Sequence, residues 1–300
     1  MTSRNRFQFQ HIGQILAAPT LPIDGTRHST AYELGRAFQL DRTHCLLVAS
    51  LDEQGGGDKC VGNDAYVFSD LGDIVPERGI PLNRPDVAYR RADGQTAWMA
   101  KFPATGAFVP LGVDAPGSGT GLFMSTGITF NADGTSLNEQ SEWCLELMQV
   151  RWDGTALTVM RREYVTELAG LRAKNVPLSQ VLIDGNRLLA PLTTPDGEAI
   201  FSFEFCKGEW QCTGHGPALG KSGGWEPSLR KSGGYYWLHT RGHGQTGLLY
   251  RSEDGLNYEE HARISLLSVP QALNQCLDGS LYLASNPIPE PPGHWLRNPL

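Results

Sequence analysis

The chain has 300 residues, a formal net charge of −7 and 40% hydrophobic residues, enough for one large all-β domain or two small ones. No Lys/Arg run resembles a nucleic-acid footprint and no run of roughly 18 apolar residues is present, so neither nucleic acid nor a membrane is expected as a partner. The 35 glycines and 19 prolines are scattered rather than clustered, which favours many short strands joined by tight turns. The N-terminus leads into no apolar segment, so a soluble protein is expected, either cytoplasmic or exported with a signal that this sequence does not carry. The six cysteines show no Cys-x-x-Cys spacing and read as buried free thiols, a Cys206–Cys212 bridge being the geometrical alternative.

In chain order, an N-terminal strand is expected around residues 7–15, then an irregular hairpin over residues 29–50 turning at Leu40-Asp41. Four more regular hairpins follow at residues 87–99, 181–190, 228–240 and 272–283, each an apolar strand, an Asp-Gly or Ser-Gly turn and a second apolar or aromatic strand. Further short strands fall at residues 65–68, 144–151, 157–162, 200–205 and 248–251, and residues 164–173 are expected to include a turn of helix. The hairpin turns at Asp93, Asp184, Ser232 and Asp278 are spaced by 91, 48 and 46 residues, the first gap close to twice the others. A period in the high forties with about four strands per period is the signature of a β-propeller, and a two-sheet sandwich would not give such even spacing. The expectation is therefore an all-β single domain over residues 1–300, a β-propeller of about five to six four-stranded blades. Its last blade would be closed by the N-terminal strand or cut short.

The hairpin around Ser232-Gly233-Gly234-Tyr235 carries the most chemistry. A two-residue Gly-Gly turn pairs Ser232 with Tyr235, and counting outward places Glu226 opposite Arg241. Strand alternation puts Tyr235, Trp237, His239 and Arg241 on one face. A propeller binds ligands where loops entering each innermost strand meet loops leaving the second. That mouth collects Arg27, His28, Arg84, Asp86, Arg172, Lys174, Gln180, Glu226, His239, Arg241, His243 and Asn274. The set is basic for an acidic chain and suits a carboxylate-bearing glycan, which arginine grips with its planar fork. Trp98, Trp225 and Trp237 are candidate faces for a sugar ring.

The segment Ser252-Glu253-Asp254-Gly255-Leu256-Asn257-Tyr258 is similar to the Asp-box of sialidase-type propellers, one residue shorter between the acid and the aromatic. Residues 226–229 followed by 238–241 resemble the sialidase stretch in which a glutamate opens a hairpin and a substrate-binding arginine closes it. The resemblance implies that Asp254 is a structural turn acid on the face away from the site. It also implies that Glu226 activates the nucleophile and that Arg241 belongs to the arginine cluster holding the substrate carboxylate. No Arg-Ile-Pro stands near the first hairpin, where residues 27–30 read Arg-His-Ser-Thr, and no tyrosine follows Tyr282.

Two enzymatic routes fit these residues. In hydrolysis of a terminal sugar, Glu226 is base or activator and Asp86 or Asp64 the acid. In β-elimination on a uronate, Arg241 neutralises the carboxylate and His239, His243 or His28 removes the adjacent proton. A non-catalytic glycan- or protein-binding propeller is the third reading. There Glu226–Arg241 is only a cross-strand ion pair. No cofactor is expected, and no metal, because His239 and His243 on a strand leading into a glycine-rich loop lack the spacing geometry a helix would supply.

Overall fold

The computed structural model describes residues 21–22, 28–41, 43–53, 60–68, 78–83, 89–90, 96–99, 104–110, 118–129, 144–175, 179–220, 225–241, 246–265, 271–276 and 278–285. Every regular element among them is a β-strand, and no helix among them is long and apolar enough to cross a membrane. The strands form antiparallel sheets that follow one another along the chain.

The first sheet holds Leu21–Pro22, His28–Gln39, Cys45–Glu53, Cys60–Phe68 and Arg78–Asn83. The second contains Tyr89–Arg90, Thr96–Met99, Thr105–Pro110, Gly119–Thr129, Cys144–Trp152 and Leu157–Val165. The third runs Leu182–Asp184, Arg187–Thr194, Gly197–Cys206, Glu209–His215, and the fourth Trp225–Ser232, Tyr235–Arg241, Thr246–Ser252, Glu259–Ser265. Gln271–Gln275 and Leu281–Ser285 form a fifth, two-stranded unit. The four-stranded repeat is met by the third and fourth sheets. The 91-residue gap is not a doubled repeat but one enlarged sheet. Its central strand is 11 residues long and pairs Thr105–Pro110 along its first half and Thr96–Met99 along its last residues.

Side-chain parity explains why the sheets pack in succession, since neighbouring residues of a strand point to opposite faces. On the second sheet, Phe123, Met148 and Val150 face the first, meeting Leu46, Val48, Ala65, Val67 and Leu82. Leu122, Met124, Leu145 and Leu147 face the other way, onto Leu188, Ala190, Leu192, Phe201 and Phe203 of the third sheet. The third sheet then turns Leu189 and Ile200 towards Leu229, Tyr236, Leu238 and Leu248 of the fourth. Each middle sheet thus buries both faces, one against each neighbour, and its strands read as near-continuous apolar runs. Burying each such large side chain contributes roughly 1.5–3 kcal/mol.

Turns at one end of the sheets share one device. Asp41, Asp153 and Asp254 each accept two backbone N–H bonds, from the residues two and three further on, at 2.7–2.8 Å. Asp278 accepts the N–H of Ser280 at 2.9 Å. At Asp254 partial burial acts to raise the pKa, but bonds from the Asn257 backbone and side chain, Leu256 and Ser252 outweigh it. The carboxyl is held well below the usual carboxylate range. The Asp254 turn follows the third strand of the fourth sheet and so lies at the end opposite Glu226 and Arg241. The Asp278 turn sits beside the Ser232 turn at that same end, through the Ser232 hydroxyl donating to Gly279 O. Trp152 Nε1, donating to Asp41 Oδ2 at 2.9 Å, sets the Asp41 and Asp153 turns side by side.

Three sequence expectations are corrected. Residues 164–173 contain no turn of helix: Glu167–Leu168 pairs with Leu171–Arg172 across a two-residue turn, Ala169 and Gly170, with φ of 50° and 81°. Cys206 and Cys212 are free, because the register sets Cys206 opposite Glu209 and Cys212 opposite Phe203. Both Cys206 and Cys276 are exposed rather than buried. Tyr282, on the strand Leu281–Ser285, is 50% exposed.

Candidate functional site

The hairpin of the fourth sheet begins with the expected turn: Ser232 pairs with Tyr235, and Gly233 and Gly234 take φ of 59° and 82°, a conformation open to glycine at little cost. The pairing runs outward without a break to Ser228 opposite His239. Then it shifts, so that Arg241 faces Trp225 and not Glu226. Two residues, Glu226 and Pro227, oppose the single Thr240. Proline has no N–H to give to a ladder, and a bulge is where a strand accommodates it.

The bulge sets Glu226 at φ 61°, a left-handed conformation that costs a non-glycine residue about 1–3 kcal/mol. It also re-aims the side chain. Arg241 Nη1 lies 3.0 Å from Glu226 Oε1, although the two are not register partners. The carboxylate is 11% exposed and the guanidinium 27%. A strained, largely buried acid held against an arginine at a sheet end is a preorganised charge pair.

Its surroundings come from two neighbouring strands. Gln180 donates its backbone N–H to Pro227 O at 2.8 Å and makes a parallel bridge with Ser228, so the entry to the third sheet's innermost strand abuts the bulge. His239, Ser228 and Thr240 have no exposed surface. His239 is paired with Ser228, and its side chain offers a ligand no exposed surface.

Beside this seam the same end of the third sheet carries a second cluster. Lys174 and Thr193 exchange both backbone hydrogen bonds at 2.9 Å. They line a cavity of about 200 Å³ together with Thr166, Arg172, Ala173, Thr194 and Pro195. Glu198, the register partner of Thr193, is 3% exposed and accepts a 3.4 Å bond from the Thr193 hydroxyl at Oε1. Burial pushes its pKa up to about 7, against the lowering effects of a backbone bond, the Thr193 hydroxyl and the Lys174 ammonium.

Of the residues expected at the mouth, the structure brings Glu226, Arg241, His239 and Gln180 together and places Lys174 and Arg172 at the adjoining cavity. Asn274 lies elsewhere: its Oδ1 accepts from Arg230 at 3.3 Å, towards the Ser232 turn. His28 opens its strand next to Pro22, its side chain outside the described set. Arg27, Arg84, Asp86 and His243 lie outside the described residues, as do the side chains of Trp98 and Trp225. Trp237 is committed within its sheet, with its ring 5.1 Å from His261 and its Nε1 donating to Ser232 O. Among the described residues no cluster of His, Cys, Asp or Glu could hold a metal ion. Sequence reasoning missed Glu198. Its signal was a carboxylate just after the Asp196-Gly197 turn, followed by the apolar or small run Ala199 to Phe203.

No family model and no curated protein matches this chain. Among solved structures it is similar to Trypanosoma rangeli sialidase, with a TM-score of 0.53 and 11% identity over 85% of this chain and 44% of that one. The complex of that sialidase with the inhibitor DANA gives a TM-score of 0.54 and 12% identity over 88% and 46%. A point mutant of NanB sialidase from Streptococcus pneumoniae gives 0.51 and 10% over 84% and 56%. The fold is sialidase-like. The chain spans about half the length of these solved structures.

Proposed function

We propose that this chain is a sialidase-like carbohydrate-active enzyme that hydrolyses a terminal, carboxylate-bearing sugar from a glycan. The observation that carries the reading is the Glu226–Arg241 pair, 3.0 Å apart on a strained bulge at the end of a sheet opposite the turn acids. The Ser252–Tyr258 turn, with Asp254 bonded to Ser252, Leu256 and Asn257, supports membership of the Asp-box superfamily. Solved neighbours of the same fold are sialidases, one of them in complex with sialic acid.

Arg241 is the cation that binds the ligand carboxylate, and Glu226 serves two ends. It orients the guanidinium in the resting protein, and it accepts a proton from the attacking group when the glycosidic bond breaks. His239, fully buried opposite Ser228, holds the strand rather than touching substrate. The burial of His239 weighs against His239 as the base of the elimination route, which would fall to His243 or His28. Asp86 remains the proposed acid, with Arg27, His28, Arg84, Gln180 and His243 proposed as further ligand contacts.

The test is a panel of acidic glycans given to wild type and Glu226→Gln, with reducing ends and near-ultraviolet absorbance followed together. Reducing sugar without absorbance, reduced at least a hundredfold in the variant, is the expected result. An absorbing unsaturated product would replace hydrolysis by elimination. Binding without product in both proteins would make the chain a glycan-binding propeller.

A further inference from the structure

The face of the fourth sheet that turns away from the third carries a cation that the hydrolysis reading does not use. Leu229 points into the apolar layer against the third sheet, so Arg230, its neighbour on the strand, takes the other face. Arg230 is half-buried there. Its Nη1 donates to Leu229 O at 2.7 Å and its Nη2 to Asn274 Oδ1 at 3.3 Å, both neutral acceptors. No carboxylate among the described residues pairs with it, and the remaining N–H groups of the guanidinium, that of Nε included, have no acceptor among those residues. Burial lowers the pKa of the group, against the raising effect of the Tyr282 phenol. A half-buried cation without a counter-ion is costly to keep, and a position held open for an anion accounts for it.

Aromatic side chains flank this guanidinium. Trp237 is the register partner of Arg230, so the two side chains stand next to each other on one face. The indole Nε1 donates to Ser232 O at 3.1 Å and the ring meets His261 at 5.1 Å, which fixes it while part of its surface stays exposed. On the fifth unit, Asn274 and Tyr282 are register partners and share a face. Asn274 Nδ2 donates to Ala272 O at 3.2 Å, which aims Oδ1 at Arg230 and makes Asn274 a positioning residue. Tyr282 is 50% exposed and close enough to Arg230 to act on its charge. The unit is held to the sheet by the Ser232 hydroxyl donating to Gly279 O at 2.5 Å and by Gln275 Nε2 donating to Lys231 O at 2.9 Å.

We propose that Arg230, Trp237 and Tyr282 form a second ligand site, which takes a carboxylate attached to a flat ring. The free N–H groups of the guanidinium receive the carboxylate, and the ring of the ligand lies on the exposed surface of Tyr282 and Trp237. An acidic sugar and an aromatic acid both have this chemistry. Arg230 is four residues from Glu226 along the same strand, roughly 13 Å towards the Ser232 turn. The site is therefore separate from the Glu226–Arg241 pair and does not depend on the hydrolysis reading.

The test is a titration of the isotope-labelled full chain with glucuronate and, separately, benzoate at constant ionic strength. The Trp237 indole N–H and the Tyr282 amide are the resonances read. Saturable shifts at both are expected with at least one acid. They should weaken about tenfold or more in Arg230→Gln, as loss of a charge-assisted hydrogen bond requires, and about threefold in Tyr282→Ala, read at Trp237. Arg241→Gln should leave them unchanged. Saturation by glucuronate alone makes the ligand an acidic sugar, by benzoate alone an aromatic acid, and by both a carboxylate on either ring. Glucose and benzyl alcohol, rings without the carboxylate, should give no saturable shift. Because Tyr282 is exposed, its truncation leaves the fold intact and reports on the site even if Arg230→Gln loosens the seam. No saturable shift with either acid, shifts retained in Arg230→Gln or lost in Arg241→Gln, or equal shifts with the neutral rings would overturn the proposal.

Discussion

At the scale of single residues, the informative feature is backbone strain at a charged side chain. Glu226 is at φ 61°, whereas the other non-glycine residues in the left-handed region among the described residues, Ala169 and Lys207, each precede a glycine in a two-residue turn. Nothing about hairpin closure requires a glutamate in that conformation, so a function of the side chain is the economical account. Glycine relieves the strain and alanine keeps it, yet both lose the ion pair with Arg241. Glu226→Gly should therefore be more stable than Glu226→Ala by about 1 kcal/mol in denaturant unfolding, while both lose turnover. Equal stabilities would mean that the bulge relaxes and the strain is not real. The Glu226–Arg241 partnership was legible in the sequence because the Gly-Gly turn fixes the register and the side chains are long enough to bridge a displacement of one residue. The bulge itself was signalled only by Pro227, whose missing N–H breaks the ladder. Glu198 was not legible. Its chemistry comes from burial between two sheets, and strand alternation says which face a residue takes without saying what covers it.

At the scale of elements, turns and parity divide the work. Asx-type turns close the sheets at the end away from the candidate site, which leaves the opposite end to carry long, irregular connections. Those turns were readable, since an acid or serine followed by glycine between apolar runs has a defined hydrogen-bonding reason to turn. The enlarged second sheet was not: three strands pair along Gly119–Thr129 where a regular unit would present two, and spacing alone reads that as a doubled period. The hairpin at Ala169-Gly170 was mistaken for helix because its alternation is too short to show a period of two. Asp254→Ala removes the acceptor for the Leu256 and Asn257 N–H groups, and should destabilise the chain by about 1 kcal/mol, the size of losing a capping acceptor. Thermal unfolding checks this, and ligand binding should be unchanged, because the turn lies at the far end of its sheet.

At the scale of the molecule, the third and fourth sheets are joined by polar groups at both ends and by an apolar layer between them. Away from the site, the Tyr236 hydroxyl bonds Asp184, Arg187 Nη2 donates to that hydroxyl at 2.9 Å, and Lys231 Nζ lies 2.8 Å from Asp184. Bonds from Lys231 and Tyr236 hold the Asp184 carboxyl below its ordinary pKa despite partial burial. At the site end stands Glu198, with its pKa raised by burial from 4.5 to about 7. The two carboxyls have opposite linkage. Asp184 stabilises the fold above its unfolded pKa, and that contribution is lost as the pH falls. Glu198 binds its proton more tightly in the folded state than in the unfolded one. Between pH 4.5 and about 7 the unfolded state therefore binds fewer protons, and stability falls as the pH rises. At 1.36 kcal/mol for each pKa unit, the full loss is on the order of 3 kcal/mol. Glu198→Gln mimics the protonated form, so the difference in unfolding free energy between variant and wild type should widen in favour of the variant across that window and level off above it. Urea unfolding of both proteins at pH 5 and pH 8 measures it. A difference that does not change with pH would mean that Glu198 is ionised throughout, with Lys174 outweighing burial.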